Sequence, residues 1–365
     1  MKIKEIILAI EEVAPNSLQE SWDNSGLIIG QPDTDIQSAL ITLDVTEAVI
    51  DEAIQHQNRL IIAHHPLIFG AIKKLNGKTD VERAILKAIK NDIAIYAAHT
   101  NIDLVKNGVS WMMARKLALQ NIEILSPQKG LLKKLVTFVP QNEIELVRTA
   151  VYKAGAGHIG NYDSCGFNIE GTGSFRGNQS TNPFVGKKGE IHFENEIRFE
   201  TVFPVFLQHK IISALLEAHP YEEVAYDIYP LDNHHPEIGI GIVGQLPEPC
   251  HPLKFLNRVK DQFRCKAIRY TNFHKEKISR IALVGGSGSS FLNDALAAKA
   301  DIFITGDFKY HQFFDAENKI IIADIGHYES EQFTKELFYE IVTNKFSKFA
   351  IRLSEVKTNP INYLF

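Results

Sequence analysis

The stretch RLIIAHHP, residues 59–66, places a short apolar run directly before two adjacent histidines and a proline. A short run that is apolar throughout is typical of a strand buried on both faces, as in a parallel sheet covered by helices. Similar apolar runs occupy residues 39–45, 93–98, 280–284, 301–305 and 319–324. Helical patterns separate many of these runs. The alternation predicts a doubly wound α/β fold.

The middle of the chain, between about residues 130 and 232, has fewer buried-strand runs and many glycines and aromatic residues. Its pattern favours the order β-α-β-β-α-β, which is the ferredoxin-like arrangement. Within it, RGNQSTNPFVGKKGE at residues 176–190 predicts an exposed hairpin or loop. We therefore expect an α/β domain that is split in sequence into residues 1–128 and 235–365. A smaller ferredoxin-like domain, residues 129–234, is expected between its two parts.

Composition and charge exclude several classes of protein. The chain has 365 residues, of which 45% are hydrophobic and 23% charged, and this suggests about two globular domains. A formal net charge of −5 gives no bulk attraction to nucleic acid or to an anionic membrane. Cys165, Cys250 and Cys265 are too few and too far apart for a disulfide framework or a cysteine zinc site, which fits a cytoplasmic protein. No stretch approaches the roughly 18 apolar residues of a membrane span.

Histidine, asparagine and carboxylate side chains follow four of the predicted strands. They are, in chain order, His64 and His65; His99, Asn101 and Asp103; Asp307 and His311; and His327 and Glu331. In open α/β sheets, ligands bind at the carboxyl ends of the strands, where loops from different strands converge. The sequence therefore predicts that these side chains gather at one edge of the sheet as a candidate metal site.

The adjacency of His64 and His65 favours a site with two metal ions. Adjacent residues in extended chain point to opposite sides, and Pro66 biases His65 toward an extended conformation. His327 and Glu331 are four residues apart at the start of a predicted helix, where both can reach a common ion. The structural alternative is one buried and one exposed histidine, with His327 and Glu331 forming an ordinary polar first turn.

The types of the candidate ligands restrict the metal and the substrate. Imidazole and carboxylate without thiolate fit zinc, iron, manganese, cobalt or nickel. Three neutral imidazoles and two carboxylates around two divalent ions leave a formal charge of about +2. Such a centre favours an anionic ligand, for example a nucleotide or another phosphorylated molecule. His99 and His311 are expected to support the ligands or to transfer protons, unless they simply cap strand ends.

The segment ESWDNSGLIIG, residues 20–30, precedes a strand-like run and offers Trp22, Asp23 and Asn24. Its side chains either line the pocket or form a capped turn with a core tryptophan. The pair His234 and His235 does not follow a buried strand, so we interpret it as part of a solvated linker.

A glycine-rich turn, formed by Gly285, Gly286, Ser287 and Gly288, lies between a predicted strand and a predicted helix. Its backbone N–H groups could bind an anion such as phosphate. The turn lacks the lysine of a P-loop, and Phe291 stands where the dinucleotide fingerprint requires its last glycine. Close packing of the backbone is the alternative explanation for these glycines.

Six motifs, WDNSGL, AHHP, AHTNID, GGSGSS, TGD with YH, and GHYESE, occur in this order along the chain. In this order they resemble the Nif-three-like family, whose members carry the name GTP cyclohydrolase I type 2 homologue. The resemblance covers nearly the whole chain. The middle segment, with AHPYEEVAYDIYPL, resembles the CutA- or PII-like domain that is inserted in the longer bacterial members.

The resemblance implies a binuclear metal centre whose ligand motifs fall on His64, His65, Asp103, His327 and Glu331. It also implies a toroidal homohexamer with the metal sites facing an internal cavity. The activity it suggests is metal-dependent hydrolysis of nucleotides or phosphorylated heterocycles, with GTP ring opening as the named candidate. Glu331 or His99 would then move protons. The alternative is a metal-binding scaffold or regulatory protein in which the PII-like domain acts as a sensor.

Overall fold

The structure is a computed structural model, and it describes residues 1–364. The chain divides into two compact units. The split unit comprises Met1–Ser126 together with the chain from Glu237 onward, and the middle unit comprises Pro127–Pro236. Among residues 1–364, no helix is both long enough and apolar enough to cross a membrane.

Short strands and helices alternate in both parts of the split unit. Its first part contains α1 (Ile3–Glu11), β1 (Gly26–Ile29), β2 (Ser38–Thr42), α2 (Glu47–Gln55), β3 (Leu60–Ala63), α3 (Asp80–Lys90), β4 (Ala94–Ala97), α4 (Thr100–Leu104), α5 (Val109–Lys116) and β5 (Gln120–Pro127). The middle unit contains β6 (Leu132–Pro140), α6 (Ile144–Lys153), β7 (Gly166–Phe175), β8 (His192–Pro204), α7 (Gln208–Ala218) and β9 (Tyr226–Leu231). The second part of the split unit contains β10 (Gly239–Cys250), α8 (Pro252–Gln262), β11 (Arg269–Tyr270), β12 (Ile278–Ser287), α9 (Leu292–Ala297), β13 (Ile302–Gly306), β14 (Ile321–Asp324), α10 (His327–Glu331), α11 (Thr334–Lys345) and β15 (Ala350–Leu353).

The strands of the split unit form two sheets. One has the order β1-β4-β3-β2-β15, and the other has the order β11-β14-β13-β12-β10-β5. The central strands of each sheet are parallel, whereas β1, β10 and β11 pair antiparallel to their neighbours. The predicted mixed α/β class is therefore confirmed, but the strands divide between two sheets where one was expected. An apolar run indicates that a strand is covered on both faces, and it does not say which strand is its neighbour.

The strand β3 shows why these sequences fold as they do. All four of its residues are buried, and α2 and α3 cover one of its faces, where Ile61 and Ala63 pack in the same cluster as Ile50 and Ile85. Each of these two helices begins at a threonine, since the Thr46 and Thr79 hydroxyls accept a backbone N–H from the first turn. Burying one large aliphatic side chain stabilises the fold by about 1.5–3 kcal/mol.

The parallel pairing brings the ends of successive strands to one place. The N–H groups of His64 and His65, just after β3, donate to Leu43 O, just after β2. In the same way Ala98 N–H, after β4, donates to Ala63 O. In the second sheet, Ile325 N–H after β14 donates to Thr305 O within β13. The segments that follow these strands therefore lie side by side within each sheet.

The middle unit is built on one antiparallel sheet with the order β7-β8-β6-β9. Its elements follow the order β-α-β-β-α-β along the chain. The helices α6 and α7 pack on one face of the sheet, around a core that includes Val139, Phe199 and Ile211. Residues 176–190 form turns and irregular backbone between β7 and β8.

Candidate metal centre

Two histidines emerge together after β3, and each is held through its Nδ1 atom. His64 Nδ1 lies 2.9 Å from the carbonyl oxygen of Ala98, and His65 Nδ1 lies 2.7 Å from Asp44 Oδ1. Because a carbonyl and a carboxylate only accept hydrogen bonds, each Nδ1 carries the proton and donates it. The Nε2 atom of each ring is the one left to bind a cation, which is the arrangement that metal-ligating histidines adopt.

The short helix α10 supplies a third histidine and the central carboxylate. His327 Nδ1 donates to Asp307 Oδ2 across 2.7 Å, so its Nε2 atom faces the other rings. Glu331 Oε2 lies 3.0 Å from both His65 Nε2 and His327 Nε2. These two nitrogens are 3.4 Å apart. One carboxylate oxygen and two imidazole nitrogens thus face a single point.

The other oxygen of Glu331 faces a second set of ligand atoms. His64 Nε2 lies 3.7 Å from Glu331 Oε1 and 3.7 Å from Asp103 Oδ1, on helix α4. The side chain of Glu331 therefore stands between two groups, one with His65 and His327 and the other with His64 and Asp103. In each group the ligand atoms lie within 4.8 Å of one another. In these two groups the adjacent histidines fall on different sides of Glu331, as their opposite directions in extended chain predict, and His64 and His65 form a third such group with His99.

Unsatisfied atoms at the centre test whether these residues fit metal ions. His64 Nε2 and Asp103 Oδ1 are buried without a hydrogen-bond partner among the described residues, whereas Glu331 Oε2 has the two imidazole nitrogens of His65 and His327 beside it. Leaving a buried polar atom unpaired costs about 1–3 kcal/mol, so native structures rarely do it without a reason. A ligand set of nitrogen and oxygen atoms fits two divalent cations that share the carboxylate of Glu331.

The buried carboxylates have opposite pKa shifts. Burial and the neighbouring charge of Glu331 raise the pKa of Asp103 well above its usual range. Burial would also raise the pKa of Glu331, but the imidazoles of His64, His327 and His65 outweigh it and hold that pKa well below its usual range. For His64, burial lowers the pKa despite the attraction of Glu331, which keeps this ring neutral and able to bind a cation.

The other two imidazoles are held in their charged form when no metal is bound. Burial lowers the pKa of His65, but hydrogen bonds to Asp44 and Glu331 outweigh it and raise the pKa to about 9. Burial likewise opposes ionisation of His327, and the carboxylates of Asp307 and Glu331 raise its pKa to about 11. Without metal, each ring therefore carries a proton on Nε2, the atom that would otherwise bind a cation.

A fourth imidazole, His99, lies beside the cluster. Its ring centroid is 5.3 Å from that of His64 and 5.4 Å from that of His65. Its Nδ1 atom donates to Asp23 Oδ1 across 2.8 Å, and Asp23 also accepts the backbone N–H of Thr100 at 3.0 Å. Burial opposes ionisation of Asp23, but the hydrogen bonds from His99 and Thr100 hold its pKa well below its usual range. The predicted residues Asp23 and His99 thus form a fixed carboxylate–imidazole pair next to the centre.

Two exposed aromatic rings flank His99. Trp22, at 62% exposure, meets the His99 ring edge-on at 5.9 Å, and Phe69, at 54% exposure, does so at 5.6 Å. Trp22 is therefore not the core residue that the structural alternative required. Phe69 was not singled out from the sequence, although it follows the histidine pair closely.

Two predicted residues lie outside the cluster. Asn101 is buried and supports the backbone, because its Nδ2 donates to Ala14 O and its Oδ1 accepts from the His99 N–H. His311 packs its exposed ring against Tyr310 and Phe314, with centroid distances of 5.1 and 6.5 Å. Neither side chain is among the groups that could hold a metal ion.

The glycine-rich turn does not offer the anion cradle that the sequence suggested. The N–H groups of Gly285, Gly286 and Gly288 already donate to side-chain hydroxyls. These hydroxyls belong to Ser110, Ser330 and Thr305, in that order. Ser287 is the last residue of β12 and pairs with β13. At Gly286, where φ is +63°, an added Cβ would lie 2.2 Å from Glu331 Oε1. The turn therefore makes room for the central carboxylate.

Sequence reasoning missed Asp44, the residue that holds His65. Asp44 follows β2, and its Oδ2 accepts a hydrogen bond from the Thr358 hydroxyl. The same rule that selected residues after the other strands applies to the apolar run at residues 39–45, so the signal was present.

Two histidines of the middle unit, His219 and His234, have structural partners. His234 Nδ1 lies 3.1 Å from the carbonyl oxygen of Pro127. His219 is buried, with Nε2 3.0 Å from Phe138 O and Nδ1 accepting the Tyr221 N–H at 3.1 Å. The structural interpretation of these side chains accounts for their contacts.

Comparison with known proteins finds similarity over nearly the whole chain. A protein of Halalkalibacterium halodurans named GTP cyclohydrolase 1 type 2 homolog is 40% identical over 364 residues, which cover 98% of each chain. A Bacillus subtilis protein of the same name is 39% identical over 367 residues, covering 99% of this chain and 98% of its own. The crystal structure of a Bacillus cereus protein related to NIF3 superposes with a TM-score of 0.86 at 41% identity, covering 100% of this chain and 99% of that one. The family model for Duf34/NIF3 (NGG1p interacting factor 3) matches residues 1–360. The chain therefore belongs to the Duf34/NIF3 family.

Proposed function

We propose that the chain binds two divalent metal ions and hydrolyses nucleotides or phosphorylated heterocycles. The proposed ligands are His64, His65, Asp103, His327 and Glu331. The observation that carries this proposal is the convergence of two groups of ligand atoms on the Glu331 carboxylate, one of which contains the buried, unpaired atoms His64 Nε2 and Asp103 Oδ1. Zinc, iron, manganese, cobalt and nickel all fit such ligands.

The arrangement of the side chains suits hydrolysis of an anionic substrate. Two divalent ions would supply Lewis acidity toward a phosphoryl or ring carbonyl oxygen. With three neutral imidazoles and two carboxylates, the occupied centre has a formal charge of about +2, which attracts an anion. Asp44 and Asp307 fix the rings of His65 and His327, so the ligand atoms need little rearrangement to bind.

His99 is the proposed proton-transfer residue. Asp23 accepts its Nδ1 proton, so Nε2 is the ring atom left to accept a proton from one reacting group and to return it to another. The exposed rings of Trp22 and Phe69 stand on either side and offer apolar faces to a heterocycle. Because relatives carry the name GTP cyclohydrolase 1 type 2 homolog, GTP is the first substrate to test.

One experiment tests both parts of this proposal. The metal content of the purified protein is measured by mass spectrometry, and the loaded protein is offered GTP, other nucleotides, phosphomonoesters and phosphodiesters. We expect about two ions per chain and turnover that a chelator abolishes and added metal restores. Two ions per chain without turnover of any compound would contradict hydrolysis, and absence of metal binding would contradict the whole proposal.

The alternative function is a metal-binding scaffold or regulatory protein. It is favoured by one observation, a cavity of about 580 Å³ that lies in the middle unit and not at the metal ligands. The element order β-α-β-β-α-β and the sheet order β7-β8-β6-β9 support an inserted ferredoxin-like domain of the CutA or PII kind at residues 129–234. This alternative predicts tight metal binding without turnover.

We also propose that the chain assembles into a homohexamer, as the family resemblance implies. The split unit exposes a group of large aromatic side chains, Tyr270, Tyr310 and Phe314, which a partner copy would cover. Light scattering on the purified protein tests this, and a monomeric mass at micromolar concentration would contradict it.

A further inference from the structure

A cavity of the middle unit lies on the face of its sheet that the helices leave open. Phe138 and Ile169 both stand opposite Arg198 in the strand ladders, and Gly171 stands opposite Glu196. Residues directly opposite each other share a face, and this face alternates with the one on which Phe199 packs against α6 and α7. The cavity has a volume of about 580 Å³, within the range of small-molecule sites.

Aromatic rings and two glycines of β7 form part of the cavity walls. Tyr221 stands at the centre, with its ring centroid 5.8 Å from Phe175 and 6.3 Å from Phe184, both tilted relative to it. Gly171 and Gly173 of β7 present bare backbone to the cavity, with open space in front of Gly171 and the Glu196 carboxylate in front of Gly173. The walls therefore offer π-faces around an open space that a carboxylate borders.

A buried carboxylate reaches this space. Glu196 is only 9% exposed, and its Oε1 atom accepts the Tyr221 hydroxyl proton across 2.9 Å. The other oxygen, Oε2, has no hydrogen-bond partner among the described residues. It packs against Gly173, where an added Cβ would lie 2.1 Å away. An ionised carboxylate at a largely buried position needs a donor or a cation to compensate its lost hydration.

The basic side chains that line the cavity do not supply the cation that would compensate Glu196. Arg198 donates its Nε proton to Glu200, which Lys134 also contacts at 2.9 Å, so this guanidinium is already paired. Acidic residues outnumber basic ones along the walls. The acidic residues are Glu170, Glu196, Glu222 and Glu223, and the basic ones are Arg176 and Arg198.

We propose that this cavity binds an organic cation, with its ammonium or guanidinium group on Glu196 Oε2 and its apolar body among the rings of Phe138, Phe175, Phe184 and Tyr221. Cations are attracted to the faces of aromatic rings, and a charge-assisted hydrogen bond to a buried carboxylate fixes their orientation. None of these residues belongs to the metal centre. The ligand proposed for this cavity is a cation, whereas the ligand proposed for the metal ions is an anion.

The test uses the full-length, metal-loaded protein and three probes of nearly the same shape. Calorimetry compares 2-phenylethylammonium with the neutral 2-phenylethanol and the anionic 3-phenylpropanoate. We expect the ammonium to bind about tenfold or more tightly than the alcohol, because only it makes the charge-assisted bond. The anion should bind at the metal centre and not in the cavity, so its affinity should not change when Glu196 is replaced. Equal binding of the ammonium and the alcohol would overturn the proposal.

Variants of cavity residues test whether the ammonium binds in this cavity. Glu196→Gln keeps the shape and the acceptor for Tyr221 but removes the charge, so it is expected to reduce ammonium affinity about tenfold, to that of the alcohol. Glu217→Gln, exposed on α7, is the matched control and should leave the affinity unchanged. Phe184→Ala changes an exposed ring and so tests the aromatic wall without endangering the fold; it should weaken both the ammonium and the alcohol. Unchanged ammonium affinity in either cavity variant would contradict the assignment.

Discussion

The Nε2 atoms of His65 and His327 lie 3.4 Å apart, and Glu331 Oε2 lies 3.0 Å from each of them. Each ring already donates its Nδ1 proton to a carboxylate, so Nε2 is the atom it offers to the centre. Without metal, Glu331 attracts a proton to each Nε2, and the two charged rings face one another. A divalent ion at this point would replace those protons.

Metal binding should therefore release protons and tighten as pH rises. The pKa of His65 is raised to about 9 and that of His327 to about 11, so both rings are protonated at neutral pH without metal. Each ring must lose its proton to bind, which predicts the release of about two protons and an affinity that rises by about 100-fold per pH unit below pH 9. Calorimetry in buffers of different ionisation enthalpy counts these protons. An affinity that is constant between pH 6.5 and 8.5 would contradict this prediction.

Glu331→Gln should release both ions, because the two oxygens of this side chain face different ligand groups. We expect metal content to fall from about two ions per chain to below one. Glu329→Gln is the matched control, since Glu329 is also buried on α10 but pairs with Asn359 at 3.1 Å. Loss of only one ion in the Glu331 variant would show that the carboxylate is not shared.

Asp307→Ala should weaken metal binding although Asp307 is not a proposed ligand. Its carboxylate orients the His327 ring, and loss of such a partner typically reduces metal affinity 10–100-fold, so we expect about that factor. The control is Asp315→Ala, which changes an exposed carboxylate in the segment that follows. Titration with a competing chelator measures both affinities, and equal values for the two variants would argue against this role.

Gly286→Ala should damage the metal centre through its backbone. The new Cβ would stand 2.2 Å from Glu331 Oε1, so the carboxylate would have to move. Gly130→Ala has a similar positive φ, +74° against +63°, but nothing within 4 Å of the added atom. Both variants should lose about 1 kcal/mol from the backbone strain alone. Only Gly286→Ala is expected to lose metal, and normal metal content in that variant would refute the role given to the turn.

His99→Ala should separate catalysis from metal binding. Because His99 is proposed to transfer protons and not to bind metal, its loss is expected to leave about two ions per chain while kcat falls about 10²–10⁴-fold. His311→Ala, which removes an exposed imidazole outside the cluster, should leave kcat unchanged. Metal loss in the His99 variant would instead make it a ligand, as its grouping with His64 and His65 allows.

The sequence predicts the neighbours at the metal centre better than it predicts the sheets. His64 and Asp103 follow β3 and β4, which are parallel neighbours in one sheet and end at a common edge, so local patterns were sufficient to bring these two together. His327 follows β14 of the other sheet, so its place beside them depends on how the two sheets pack. The division into two sheets depends on which strands pair, and pairing is decided by packing between distant segments. The hydroxyls that occupy the glycine-rich turn, such as Ser110, come from elsewhere in the chain and leave no local signal.

The point at which the middle unit interrupts the split unit determines the order in which the protein can be completed. Strands β5 and β10, which precede and follow that interruption, are neighbours in the six-stranded sheet. During synthesis, the middle unit leaves the ribosome whole before β10 and the strands that complete this sheet have been made. Glu331 emerges still later, near the end of the chain. A nascent chain therefore cannot assemble either of the two proposed ligand groups before translation has passed α10, because Glu331 belongs to both of them.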